Sequence, residues 1–258
     1  MKKRRLFRIL SIAIFLLIWE IAALLVSKPQ IFPMPIDVLI AFKVLLLSTG
    51  PAGVEWAGEL LGHSLISLTR VVAGFCIASL SGILLGIVMG WWQPIRNLIE
   101  PIIEILRPIP PLAWIPLAML WFGLGFKPAV FLIWLGAFSP ILLNTIFGVE
   151  STSKNLIETA KTLGAKQREL LLKVVIPSAI PAIITGLSVG FGVGWMCLVA
   201  AELTGCNSGL GFMIMYYHWT MEPAKTIVGM LMIGFIGLLI FMILKRIENK
   251  LLAWREEI

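Results

Sequence analysis

Residues Val71 to Trp92 run for 22 positions without a charged side chain. A helix of that length is about 33 Å long, enough to cross the roughly 30 Å hydrocarbon core of a bilayer. Five further runs have similar character: Ile9 to Val26 with Glu20 inside it, Pro108 to Phe126, Pro128 to Val149, a stretch within Val174 to Ala201, and Thr226 to Leu244. Long continuous apolar runs are the helical signal, whereas the strands of a barrel alternate. The expectation is an all-α integral membrane protein of about six transmembrane helices. Composition agrees: 59% of residues are hydrophobic, 14% are charged, and mean hydropathy is +0.97. No soluble domain of this size hides so much apolar surface. The net charge of +7 therefore does not point to nucleic acid.

The basic residues are unevenly placed. With the N-terminus inside, sixteen Lys and Arg fall in inner segments: Lys2, Lys3, Arg4, Arg5, Arg8, Arg96, Arg107, five between Lys154 and Lys173, and Lys245, Arg246, Lys250 and Arg255. Four fall outside, at Lys28, Lys43, Lys127 and Lys225, with Arg70 at the outer start of the second span. This bias predicts cytoplasmic N- and C-termini. The first run is expected to be a retained span, not a signal peptide, because it is long, holds Trp19 and Glu20, and lacks a small-x-small cleavage site before Lys28. The outer segment after it holds the proline-rich Ile31–Pro35 and a possible interfacial helix marked by Ile36, Leu39, Ile40 and Leu47. A second outer loop, Thr204 to Ala224, contains Ser208-Gly209-Leu210-Gly211.

Between the fourth and fifth runs lies a charged island of about 28 residues. Leu156, Ala160, Leu163, Leu170 and Val174 are spaced to line one helix face, and Lys154, Lys161, Lys166, Arg168 and Lys173 crowd the rest. A charge at the bilayer centre costs roughly 2.5–3.5 kcal/mol, so this segment belongs in water or against a protein. Its core reads Glu158-Thr159-Ala160-Lys161-Thr162-Leu163-Gly164, followed by Val174-Val175-Ile176-Pro177. Glu158, Ala160, Gly164 and Pro177 match the EAA loop of permease subunits of binding-protein-dependent ABC importers, with Thr159, Val174 and Ile176 as mild departures. The stretches Glu104–Gly125, Gly136–Thr145 and Trp195–Glu202 resemble the nitrate/sulfonate/taurine branch, and the likeness runs from about residue 60 to the C-terminus.

That resemblance implies a type I ABC importer permease fold with a cytoplasmic coupling helix. Glu158, Thr159, Ala160, Gly164 and Pro177 would form the ATPase contact, and Gly164 would hold a tight turn. The implied division is an N-terminal helix and outer segment (1–58), a permease core (59–245) and a cytoplasmic tail (246–258). Implied partners are two ATP-binding cassette subunits, an extracytoplasmic binding protein, a second copy of the chain and the plasma or inner membrane bilayer. The implied cargo is a small anion of sulfonate, taurine or nitrate type. Bicarbonate and a neutral vitamin-precursor heterocycle are alternatives in the same architecture.

The residues add their own constraints. Pro108, Pro110, Pro111 and Pro116 break the third run, and irregular backbone at membrane depth is tolerated where protein or a water-filled cavity satisfies it. This makes the third run a candidate pathway wall, with Arg107, Pro110 and Trp114 on it, Ser139, Asn144 and Thr145 on the fourth, and Ser188 and Glu202 on the fifth. Arg107 could instead pair with Glu104. Gly74, Ala78, Gly82, Gly86 and Gly90, and again Gly186, Gly190 and Gly194, recur every four residues and predict close helix packing.

The chain has no Gly-x-x-x-x-Gly-Lys-Ser/Thr loop and no nucleophile–base pattern. It is expected to be a non-catalytic subunit that binds no cofactor, with ATP and magnesium held by the partner ATPase. His63 and His218 are far apart, and Cys76, Cys197 and Cys206 lack metal spacing, so no metal site is expected. An ion-driven secondary transporter is the remote alternative. It would show matching broken helices in two halves, and one broken run is present.

Overall fold

A computed structural model describes residues 2–49 and 58–251, with side chains placed except at 2–6, 8, 9 and 251. Arg255, the rest of the tail after residue 251 and segment 50–57 lie outside the described residues, as do the side chains of Lys2, Lys3, Arg4, Arg5 and Arg8. The described residues are helical with short connections and no strand. The helices are α1 (Lys2–Val26), α2 (Pro35–Leu47), α3 (Glu59–Trp91), α4 (Gln93–Leu106), α5 (Ile115–Phe122), α6 (Phe126–Glu150), α7 (Lys154–Thr162), α8 (Gln167–Leu170), α9 (Ile176–Gly205), α10 (Leu210–Trp219) and α11 (Pro223–Leu251). Among them α3, α6, the continuous α8–α9 and α11 are long and apolar enough to cross a membrane. The pair α4–α5 makes a fifth crossing if its halves count as one, and α1 carries the apolar stretch Leu10–Val26.

The third expected span is not one helix. Pro108–Phe126 holds a 3-10 turn and α5, which has eight residues, about 12 Å, and together they meet the preceding α4 at an 82° bend. Prolines explain the break. Pro111 and Pro116 sit in the first turns of a 3-10 segment and of α5, where a missing N–H does no harm. Gly123, at φ +76°, then stops α5. The segment Thr204 to Ala224 likewise holds a helix, α10.

The chain divides into two compact units. The larger takes residues 68–207 and 236–258. Its centre is α6, gripped on two sides by small residues. Gly74, Gly82, Gly86 and Gly90 of α3 press on Ile133, Ile141, Thr145 and Val149 of α6. A Cβ on Gly86 would lie 2.6 Å from that of Thr145. Partner numbers rise together, so α3 and α6 run parallel, and the chain between them must return across the membrane. The bent α4–α5 pair makes that return. On the other side Gly186, Gly190 and Gly194 of α9 meet Asn144, Ile141 and Ala137 in antiparallel order. Both glycine series thus pack as the sequence predicts, against one shared helix. Ala118 of α5 joins Ala129, Leu132, Cys197 and Ala201 in a buried cluster. Arg96 of α4 pairs with Glu100 at 3.0 Å and with Glu150 at the end of α6.

The smaller unit takes residues 1–67 and 208–235. The Trp19 indole donates to the Pro33 carbonyl at 3.0 Å, and the Asp37 carboxylate accepts the Met34 N–H at 3.0 Å, starting the short helix expected after the proline-rich stretch. The start of α10 is held by α3: Gly209 N–H donates to His63 Nδ1 and Leu210 N–H to Ser67 Oγ, both at 2.9 Å. Tyr217 donates its hydroxyl to Glu59, and burial first, then the Glu59 carboxylate, push the phenol above its usual range. His63 is therefore a helix-end acceptor, and no metal-ligating cluster occurs among the described residues.

Candidate translocation and coupling sites

The third run's irregular backbone opens onto a cleft of about 440 Å³. The bend supplies Ile103, Leu106, Arg107, Ile109, Pro111 and Trp114, α6 supplies Phe131 to Pro140, and α9 supplies Val193. Trp114, Phe131, Trp134 and Phe138 give it aromatic walls, with Phe131–Trp134 and Trp134–Phe138 centroids at 5.7 and 5.4 Å. The Trp134 indole is occupied by Ser81 Oγ at 3.1 Å. Ser139 lies halfway along α6, about 20 Å from its start. Arg107 lines the same cleft. Arg107 is exposed there, and no hydrogen bond or ion pair reaches its side chain among the described residues, including none from Glu104.

Three of the sequence-derived pathway residues, Arg107, Trp114 and Ser139, meet in this cleft. Pro110 is exposed at the bend between two residues that line it. The other four are elsewhere. Asn144 donates to the Pro140 carbonyl at 2.8 Å, and Thr145 is buried, bonded to the Ile141 carbonyl at 2.7 Å and packed under Gly86. Ser188 is half-buried on α9. Glu202 is buried and bonded to Arg70 at 2.7 Å. Close by, Gly125 N–H donates to the Gly205 carbonyl at 2.8 Å, tying the start of α6 to the end of α9.

The island folds as two helices, not one. Helix α7 ends in a paired hydrogen-bond cap: Gly164 N–H donates to the Lys161 carbonyl at 2.9 Å and Ala165 N–H to the Ala160 carbonyl at 3.0 Å. Gly164 has φ +83° and open space where a Cβ would be. The proposed common face is divided accordingly. Ile157 and Leu170 turn inward, while Leu156 and Leu163 are 54% and 83% exposed. Glu158 and Thr159 are exposed beside them, and Ala160 is half-buried. Leu156 on α7 and Leu163 just past its end are thus exposed apolar residues in a polar segment. After α8 a π-helical turn, Leu171–Val175, leads into α9, and Pro177 falls in its first turn where it breaks nothing.

Residues 82–252 match the family described as the binding-protein-dependent transport system inner membrane component. The chain belongs to that family. This permease is 46% identical over 245 residues to a protein of Methanocaldococcus jannaschii named as an ABC transporter permease, covering 95% of this chain and 90% of the relative. It is 37% identical to the taurine transport system permease protein TauC of Escherichia coli, over 96% and 89% of the two chains. The nitrate import permease protein NrtB of a Synechocystis strain is 32% identical, over 89% and 83%. These place the permease in the nitrate/sulfonate/taurine branch. A chain of the MetNI methionine ABC transporter, solved in inward-facing conformations, superposes with a TM-score of 0.65 at 18% identity, over 78% of the permease and 99% of that chain. The fold is thus that of type I ABC importer permeases, as the sequence predicts.

Sequence reasoning missed the aromatic wall and the Arg70–Glu202 pair. Phe131, Trp134 and Phe138 are spaced three and four apart, which is a legible helix face. The pairing of Arg70 with Glu202 has no local signal.

Proposed function

We propose that the permease forms half of the path of an ATP-driven importer and moves a small oxyanion of sulfonate, taurine or nitrate type. The observation that carries this is Arg107, an exposed arginine lining an aromatic cleft beside the middle of α6, with no acidic partner among the described residues. Such a charge needs water or an anion beside it. The names of TauC and NrtB support a cargo that carries an oxyanion group, the sulfonate of zwitterionic taurine or nitrate itself. In this reading a loaded binding protein docks on the outer segments and a second copy of the chain completes the path. Two ATPase subunits, which hold ATP and magnesium, grip α7 through Glu158 to Gly164. The permease itself is non-catalytic, and α7 and both termini face the cytoplasm. The core at 59–245 carries the path, with 1–58 and 246–258 as flanking parts. The energy of coupling is the difference in ATPase affinity for two states of the permease. The four aromatic rings also favour a planar heterocycle, which is the second reading.

The test is uptake into proteoliposomes holding the permease, its ATPase and its binding protein, with an anionic substrate set against a neutral isostere. Arg107→Gln should lower anion flux about tenfold or more with ATPase assembly intact, the loss of a charge-assisted contact being about 1.5–3 kcal/mol. Preference for the neutral compound, or unchanged anion flux in Arg107→Gln, would overturn the anion path and favour the heterocycle.

A further inference from the structure

A second cleft, of about 710 Å³, lies at the foot of α7. Ser151 and Thr152 at the end of α6, Ser178 and Thr185 of α9, Leu156 of α7 and Glu248 of α11 line it. Nothing in the anion path uses it. Four features give it one electrostatic character. Its polar side chains are hydroxyls, which accept hydrogen bonds, and one carboxylate. Glu248 is its single ionised side chain, and no ion pair reaches Glu248 among the described residues. Thr152 is 93% buried by its 7% exposure, and its Oγ1 has no hydrogen-bond partner. An orphaned buried hydroxyl costs about 1–3 kcal/mol, so it calls for a partner. Finally, Phe147 and Ser151 bring the C-terminal, carbonyl end of α6 to the cleft, and that end favours positive charge.

We infer that this cleft receives a basic side chain of the ATPase subunit, as a second contact beside α7. The inference rests on the reading of α7 as the ATPase contact. Leu156 belongs both to the exposed face of α7 and to the cleft, so one partner surface reaches both. A lysine or arginine entering there would pair with Glu248 and donate to Thr152 Oγ1, while Lys245, Arg246 and Lys250 on the same helix stay outside the lining.

The test uses the permease–ATPase complex in lipid nanodiscs, with Cys76, Cys197 and Cys206 replaced by alanine and a single cysteine at Ser178 or, as reference, at Leu163. The probes are a trimethylammonium-bearing and a sulfonate-bearing methanethiosulfonate. Without ATPase, the cationic-to-anionic rate ratio at Ser178→Cys should exceed that at Leu163→Cys by about tenfold, and Glu248→Gln should remove the excess. Added ATPase should slow modification at both sites. Equal ratios at the two sites, or protection at Leu163→Cys without protection at Ser178→Cys, would overturn this inference alone. No binding of ATPase to the permease would overturn the reading of α7 and this inference with it.

Discussion

Arg70 and Glu202 stand 132 positions apart and meet at 2.7 Å, with side chains 3% and 1% exposed. Each was legible as an ionisable residue in or near a span, but the sequence does not say which face of α3 meets α9. An isolated charge at such a site is costly, and a pair is far less so. Glu202→Ala should therefore destabilise the purified permease by about 3–5 kcal/mol, because the buried Arg70 loses the carboxylate that balances its charge. Arg70→Met combined with Glu202→Met should recover most of that loss. Thermal unfolding in detergent checks both, and a single variant as stable as the parent would show that Glu202 carries no charge in the fold. Arg107 makes the opposite case. Its position beside the proline-broken run was readable, and its place in an aromatic cleft was not, because that depends on the register of α6 against the bend.

At the scale of elements, glycine spacing carried most of the information. A repeat of four announces a helix face that approaches another backbone, whatever the partner. That the partner of both α3 and α9 is α6 follows from packing, which no local pattern encodes. Gly86→Leu and Gly148→Leu should each abolish folding into the membrane, since an added Cβ would lie 2.6 Å from Thr145 Cβ and 2.8 Å from Ala182 Cβ. Gly192→Ala should be tolerated, because nothing lies within 4 Å of its missing Cβ. Yield and monodispersity after detergent extraction separate these outcomes. The third run shows the reverse limit. Its four prolines foretold a break, but hydropathy alone counts apolar residues and cannot register an 82° bend. The island was misread as one face for a related reason: Leu163 continues the periodicity, yet Gly164 adopts φ +83° and ends the helix beneath it.

At the scale of the whole molecule, the permease joins a membrane core to a short polar helix with exposed leucines and a glycine-dependent end. In the proposed function its work is to pass a movement at α7 into α9, to which α8 and a π-helical turn connect it. The family was legible from the spacing of Glu158, Ala160, Gly164 and Pro177; the cleft was not, because its lining is gathered from separate helices. The central claim is that ATP hydrolysis by a partner acting on α7 drives uptake. The most direct test is accumulation of labelled substrate in proteoliposomes containing permease, ATPase and binding protein, with ATP or a non-hydrolysable analogue on the α7 side and no ion gradient. The account predicts accumulation with ATP alone, abolished by Gly164→Asp while the variant still inserts in the membrane. Uptake that persists without hydrolysis, follows an imposed ion gradient, or is unchanged in Gly164→Asp would contradict it.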